Sequence, residues 1–136
     1  MSRSLIHVAN TSSQPVNPAT GSPAFVNLGG VVRRYGCNIR LSGNAIEQDG
    51  GGYYNLLGSI TVAPTAAGVV TMALFENGGV LPGSQVSGSV TTAANPVTLP
   101  LIGTSRICGC CSSSIQVGVI EGAGNVLSVT LKDEKA

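Results

Sequence analysis

The densest chemistry in this chain is Cys108-Gly109-Cys110-Cys111, three thiols within four residues. Thiolates bind soft metals, and Cys37 or a second copy of the chain would have to complete a ligand set. Zinc sites also need a second His or Cys pair, and none lies nearby in the sequence. Adjacent Cys110 and Cys111 cannot bridge one another without strain. A Cys37–Cys108 disulfide requires an oxidising setting after assembly. The plainest alternative is that these thiols are small apolar groups packing a tight loop. Metal, disulfide and packing all stay open at this level.

The remaining reactive residues do not converge. His7 is the only histidine, so a triad would have one available base. It sits in the first apolar run with no nucleophile motif around it, and a structural role is expected. The carboxylates Glu47, Asp49, Glu76 and Glu121 are few and scattered over turns, which gives an acid/base pair no support. Gly50-Gly51-Gly52 precedes no helix and carries no following Lys-Ser/Thr, so it is not a phosphate loop. Arg33-Arg34 reads either as a contact for an acidic partner surface or as two exposed arginines at a strand entry. The expectation is no enzyme, no cofactor and no metal.

Composition narrows the class. The chain has 136 residues, enough for one domain with its own core. Charged residues are 10% of the total, well below the roughly 25% of ordinary soluble domains. Glycine (19) and proline (7) recur throughout, with Val, Ile, Thr and Ser between them. β-branched side chains suit a pleated surface, so the composition is all-β. So little charge implies that copies of the chain, or another protein, cover much of the surface. Net charge is +1 with 4% aromatics and no basic stripe, so no nucleic-acid partner is expected. No apolar run approaches the roughly 20 residues of a membrane span. The run Leu5 to Val8 is too short for the core of a signal peptide. Synthesis in a cytoplasm, without export by that route, is expected.

The elements that would position these residues are short strands. Leu5–Ala9 is the first, and residues 10–23, with three prolines and many small polar residues, read as a loop or arm. Ala24–Leu28 follows. In 31–42, Cys37, Ile39 and Leu41 alternate with polar neighbours, the period of a half-buried strand. Gly43-Asn44 turns the chain into Ala45–Gln48. Tyr53–Val62 is a long strand with Leu56, Gly58, Ile60 and Val62 on one face and Tyr53, Asn55, Leu57, Ser59 and Thr61 on the other. Val69–Glu76 is apolar on both faces and should be central. Asn77-Gly78 favours a type I′ hairpin turn, and Pro82-Gly83 is a second turn. Gln85–Thr91 is polar and suits a solvent-facing or edge strand, and 97–102, whose Pro100 cannot donate to a ladder, suits an edge or a bulge. In 114–121, Ile115, Val117 and Val119 alternate with Gln116, Gly118 and Ile120. The strand 126–132 points Leu127, Val129 and Leu131 inward, and 133–136 reads as a polar tail. Nine or ten short strands, spaced roughly 8–12 residues apart without a helix, predict a jelly-roll β-sandwich.

The order of three motifs carries a resemblance. Asn38-Ile39-Arg40-Leu41-Ser42-Gly43-Asn44 comes first. Asp49-Gly50-Gly51-Gly52-Tyr53-Tyr54 then opens a long strand. Phe75-Glu76-Asn77-Gly78-Gly79-Val80-Leu81-Pro82-Gly83-Ser84 follows, and an apolar strand closes the chain. This pattern, over residues 36–132, resembles the C-terminal domain of the BclA exosporium glycoprotein and, more widely, the C1q/TNF-like jelly roll. The resemblance implies a homotrimer with apolar and aromatic side chains meeting near a three-fold axis. On that basis Tyr53, Tyr54, Ile115, Val117 and Val119 are trimer-interface candidates.

No collagen-like tract precedes the domain in this sequence. Small free-standing domains of this type resemble bacteriophage virion proteins. The resemblance therefore implies a non-enzymatic structural protein, a decoration or head-fibre protein. Residues 1–30 would be an arm docking a jelly roll, 31–136, onto the major capsid protein or another virion protein. Two alternatives keep the fold. One is a receptor- or glycan-binding tip on a tail or fibre, using loops around 77–84 or 104–113 against a host-surface glycan. The other is a spore-surface protein. No membrane partner is implied.

Overall fold

The computed structural model describes residues 4–19, 22–109 and 111–135. Among these are thirteen strands and no helix. In chain order they are β1 (Leu5–Asn10), β2 (Gln14–Val16), β3 (Ala24–Phe25), β4 (Gly30–Tyr35), β5 (Ile39–Ser42) and β6 (Ala45–Asp49). Then come β7 (Gly52–Pro64), β8 (Gly68–Glu76), β9 (Gly79–Val80), β10 (Val86–Val90), β11 (Val97–Ile107), β12 (Ser112–Glu121) and β13 (Gly124–Lys135). They form two antiparallel sheets. Sheet one runs β11-β7-β13-β1-β4, with β2 also on β13; sheet two runs β10-β8-β12-β6-β5, with β3 on β12 and β9 on β8. The sandwich is a jelly roll, as the pattern of short strands predicts.

Alternation builds the core. Successive side chains on a strand point to opposite faces, so every second residue enters the space between the sheets. On β7 these are Tyr54, Leu56, Ile60 and Val62; on β8, Val70, Met72 and Leu74; on β12, Ile115, Val117 and Val119. All are buried. β8 is central in sheet two, β10 and β11 are edge strands, and Pro100 lies on the β11 edge. Those assignments agree with the sequence patterns. The Asn77-Gly78 turn has positive φ at both residues (52° and 88°), as a type I′ hairpin turn requires.

Several expectations need correction. The separate docking arm at 1–30 does not hold for its described part. β1 lies inside sheet one between β13 and β4, and β3 pairs with β12 in sheet two. Ile6, Val8, Val16, Val26 and Leu28 are core residues. The proline-rich stretch is stitched down by Gln14, which accepts from the Asn27 amide and donates to its carbonyl, each at 2.9 Å. A division at residue 30 would also cut β4. The whole described chain is therefore one sandwich. Residues 1–3, 20 and 21 of the expected arm lie outside the described residues.

Three smaller corrections have local causes. Residues 31–42 are two strands: the chain leaves sheet one after Tyr35, bends at Gly36 (φ 86°) and enters sheet two at Ile39. Cys37 sits in that bend and is exposed rather than inward. Leu127 also faces out, because a register shift between Val126 and Ser128 breaks the alternation and buries Val126 instead. The polar 133–135 segment continues β13, paired to both β1 and β7, and Asp133 is fully buried.

Candidate functional site

The outward face of sheet one is the first candidate surface. Residues of β7 that do not enter the core point there, and Leu57 pairs across strands with Ile102 of β11 and Lys132 of β13. Tyr53 pairs with Arg106, whose guanidinium lies 5.9 Å from the centre of the tyrosine ring. Tyr53, Leu57 and Ile102 are 55%, 54% and 57% exposed, enough to leave most of each side chain free for a partner. Hydroxyls and amides border them. Thr61 and Thr98 share a hydrogen bond at 2.8 Å, and His7 bonds Thr130 at 2.7 Å.

The second candidate is the end of the sandwich where β6, β8, β11 and β13 finish and β7 and β12 begin. Polar groups tie the two sheets together there. Gln48 of β6 donates to Asp133 of β13 at 2.5 Å and accepts from Ser113 of β12 at 2.9 Å. Ser105 of β11 donates to Glu76 of β8. The Tyr54 hydroxyl donates to the carbonyls of Asp49 and Gly50, holding the glycine turn over the core. Burial, against the hydrogen bond from Gln48, raises the Asp133 carboxyl to about 7. Its Oδ1 has no hydrogen-bond partner among the described residues. Burial also raises the Tyr54 hydroxyl, helped by the negative charges of Asp133 and Asp49. Beside these ties is an open polar cleft of about 210 Å³, lined by Arg40, Glu47, Asp49, Asn77 and Ser112–Ser114 among others. Arg40 and Glu47 form an ion pair at 2.7 Å on its wall.

No family model matches the chain, and no curated protein matches its sequence. Solved structures do match in shape. Murine APRIL superposes with a TM-score of 0.68 at 14% identity, covering 98% of this chain and 99% of that one. The globular domain of zebrafish complement 1qA gives 0.62 at 8% identity, with 94% of each chain covered. Phage PRD1 vertex protein P5 gives 0.55 at 12% identity, covering 97% of this chain and 96% of its own. This chain has the C1q/TNF-like jelly-roll fold. The C1q/TNF-like motifs noted in the sequence fall on β5 with the turn into β6, on the β6–β7 turn, and on the β8–β9 hairpin with the turn after it.

Within this C1q/TNF-like sandwich the five proposed interface residues separate. Tyr54, Ile115, Val117 and Val119 are fully buried between the two sheets of a single chain. Their strand parity points them inward, so they have no surface to offer another copy. Tyr53, one residue away, has the opposite parity and is exposed. Leu57 and Ile102 were missed as surface candidates. The available signal was a leucine on the polar side of the β7 alternation, beside Asn55 and Ser59.

Cys37, Cys108 and Cys111 are exposed free thiols, so they are not packed away from solvent. Cys110 lies outside the described residues. Among the described residues, no group of three or more His, Cys, Asp or Glu converges to hold a metal.

Proposed function

We propose that this protein is a non-enzymatic structural component of a bacteriophage virion, working as a homotrimeric decoration or head-fibre protein on the capsid. The observation that carries the reading is the outward face of sheet one. It presents Tyr53, Leu57 and Ile102 to solvent on a chain with only 10% charged residues. An exposed apolar row bordered by polar groups is the composition of a protein interface. The fold supports a trimer because the C1q/TNF-like resemblance implies one, and the shape shared with a phage vertex protein supports the virion setting.

With β1, β2 and β3 committed to the sheets, attachment to the major capsid or another virion protein falls to β4. This edge strand is exposed along its whole length and offers Val31, Val32, Arg33, Arg34 and Tyr35. An exposed edge can take a further strand from a partner.

Light scattering coupled to gel filtration tests the trimer. Leu57→Asp combined with Ile102→Asp should give a folded monomer, whereas a trimer surviving that pair would remove sheet one as the contact. Val32→Asp with Arg33→Glu should leave the trimer whole and release it from particles.

The polar cleft favours a second reading, a glycan-binding tip on a tail or fibre. Its lining offers donors and acceptors from Arg40, Asp49, Asn77 and Ser112–Ser114, overlapping the loops expected to carry such a site. Saturable binding on a glycan array, abolished by Asn77→Ala, would select this reading; a blank array would return the cleft to solvent.

A further inference from the structure

The loop 108–111 joins β11 of sheet one to β12 of sheet two. The Cys111 amide donates to the Cys108 carbonyl across 2.9 Å. A bond from residue i+3 back to residue i closes a β-turn and holds its end Cα atoms within about 7 Å. Disulfides need Cα separations of about 4.4–6.8 Å. The turn therefore brings its two end cysteines to bridging range before any covalent bond forms. Both side chains are exposed and carry free thiols, so a small reagent can reach them.

The neighbouring loop holds the turn from outside. The Gly50 amide donates to the Cys111 carbonyl at 3.2 Å. Gly109 packs so closely on Gly51 that a Cβ on Gly51 would lie 2.9 Å from both its nitrogen and its oxygen. Gly109 has φ +44°, a conformation that side-chain-bearing residues adopt at a cost. Backbone approach is possible here because both loops present glycine. The Tyr54 hydroxyl fixes the Gly50 side through its bond to the Gly50 carbonyl at 2.8 Å.

We propose that Cys108 and Cys111 form a thiol–disulfide clasp on the sheet-to-sheet crossover, open in a reducing medium and closed by exchange with a low-molecular-weight disulfide. One cysteine thiolate attacks a sulfur of the small disulfide, whose S–S bond breaks. The small thiolate released takes up the proton the cysteine lost. The second cysteine then attacks the mixed disulfide and expels the other small thiol. Two protein thiols are oxidised by two electrons, and one small disulfide is reduced to two thiols. Closure stiffens the crossover and its seat on the Gly50–Gly51 turn. The ring closed is short, so the gain in global stability is small and the effect local.

The test uses the full chain, purified reduced and kept native, in a glutathione redox buffer with the thiol in excess over the disulfide, followed by alkylation and trypsin. Cleavage after Arg106 and Lys132 leaves Cys108 and Cys111 on one peptide, and Cys110→Ser removes the third thiol from it. That peptide should lose two hydrogens in mass. Alkylation at Cys108 and Cys111 should fall about tenfold while Cys37 stays reactive. The unsubstituted chain should give the same peptide with one thiol remaining, so the result does not depend on the variant folding. Gly51→Ala should displace Gly109 and raise the glutathione disulfide-to-thiol ratio needed for closure about threefold; an unchanged ratio overturns the role of that seat. Persistent glutathione adducts, pairing with Cys37, a bridge to a second chain, or thiols as reactive as Cys37 would each overturn the clasp.

Discussion

The two sheets share strand chemistry, but their outward faces are finished differently. On sheet two the chain covers itself. Phe25 of β3 meets Phe75 of β8 edge to face, ring centroids 5.3 Å apart at 86°. The Phe75 ring lies over Gly118, where any Cβ would collide with it. Thr71, Ala73 and Phe75, all pointing away from the core, are buried, whereas Val69 on the same face is open. On sheet one Tyr53, Leu57 and Ile102 remain in solvent, with no aromatic pair among the described residues laid over them. An apolar outer face is therefore not in itself a sign of assembly. The informative face is the one that the chain leaves uncovered.

The comparison breaks most completely if the N-terminal strands are removed. Deleting residues 4–28 takes Ile6, Val8, Val16, Val26 and Leu28 from the core, each worth about 1.5–3 kcal/mol of burial. Their sum is comparable to the whole stability of a domain, about 5–15 kcal/mol. Circular dichroism during urea titration should show no cooperative transition. A folded trimer after the deletion would restore residues 1–30 as a separable arm.

The polar end that ties the two faces together should respond to pH. The folded Asp133 carboxyl titrates at about 7, above its unfolded value. The folded state thus holds a proton that the unfolded chain releases. Its stabilising contribution is complete below the ordinary carboxylate range and is lost as pH rises through about 7. The expected loss is on the order of a few kcal/mol between acid and neutral pH. Urea midpoints across that window measure it, and Asp133→Asn should flatten the slope.

A smaller effect is expected on the self-covered face. Gly118→Val forces Phe75 aside and should cost about 1–3 kcal/mol, read as a lower urea midpoint with the trimer retained. Phe25→Ala removes one edge-to-face partner that is itself half open, and should cost about 1 kcal/mol. If either change abolished self-association while the fold persisted, the assembly surface would belong to sheet two.

Much of the architecture was legible. The alternations at 53–62 and 114–121 identified two sandwich strands because burial on one face demands a period of two, and the run at 69–76, apolar on both faces, identified a central one. Asn77-Gly78 placed a hairpin because few residue pairs accept two positive φ angles. Less of the candidate surface could be read. The same alternation that selected Ile115, Val117 and Val119 as apolar also sends them into the single-chain core, and nothing local distinguishes that core from an interface between copies. Asp133 followed Val129 and Leu131 in parity, but its charge made 133–135 read as a tail. Gln48, distant in sequence, supplies the partner that lets the carboxyl stay inside.

By itself the sequence determined the all-β class, the short-strand spacing and most of the turns, because these depend on neighbours along the chain. The tertiary structure decided which sheets the N-terminal strands join, which face stays open, and that Cys108 and Cys111 close a turn against Gly50 and Gly51. Each of those depends on residues far apart in the chain meeting across a sheet or between loops, and local propensity does not encode such meetings.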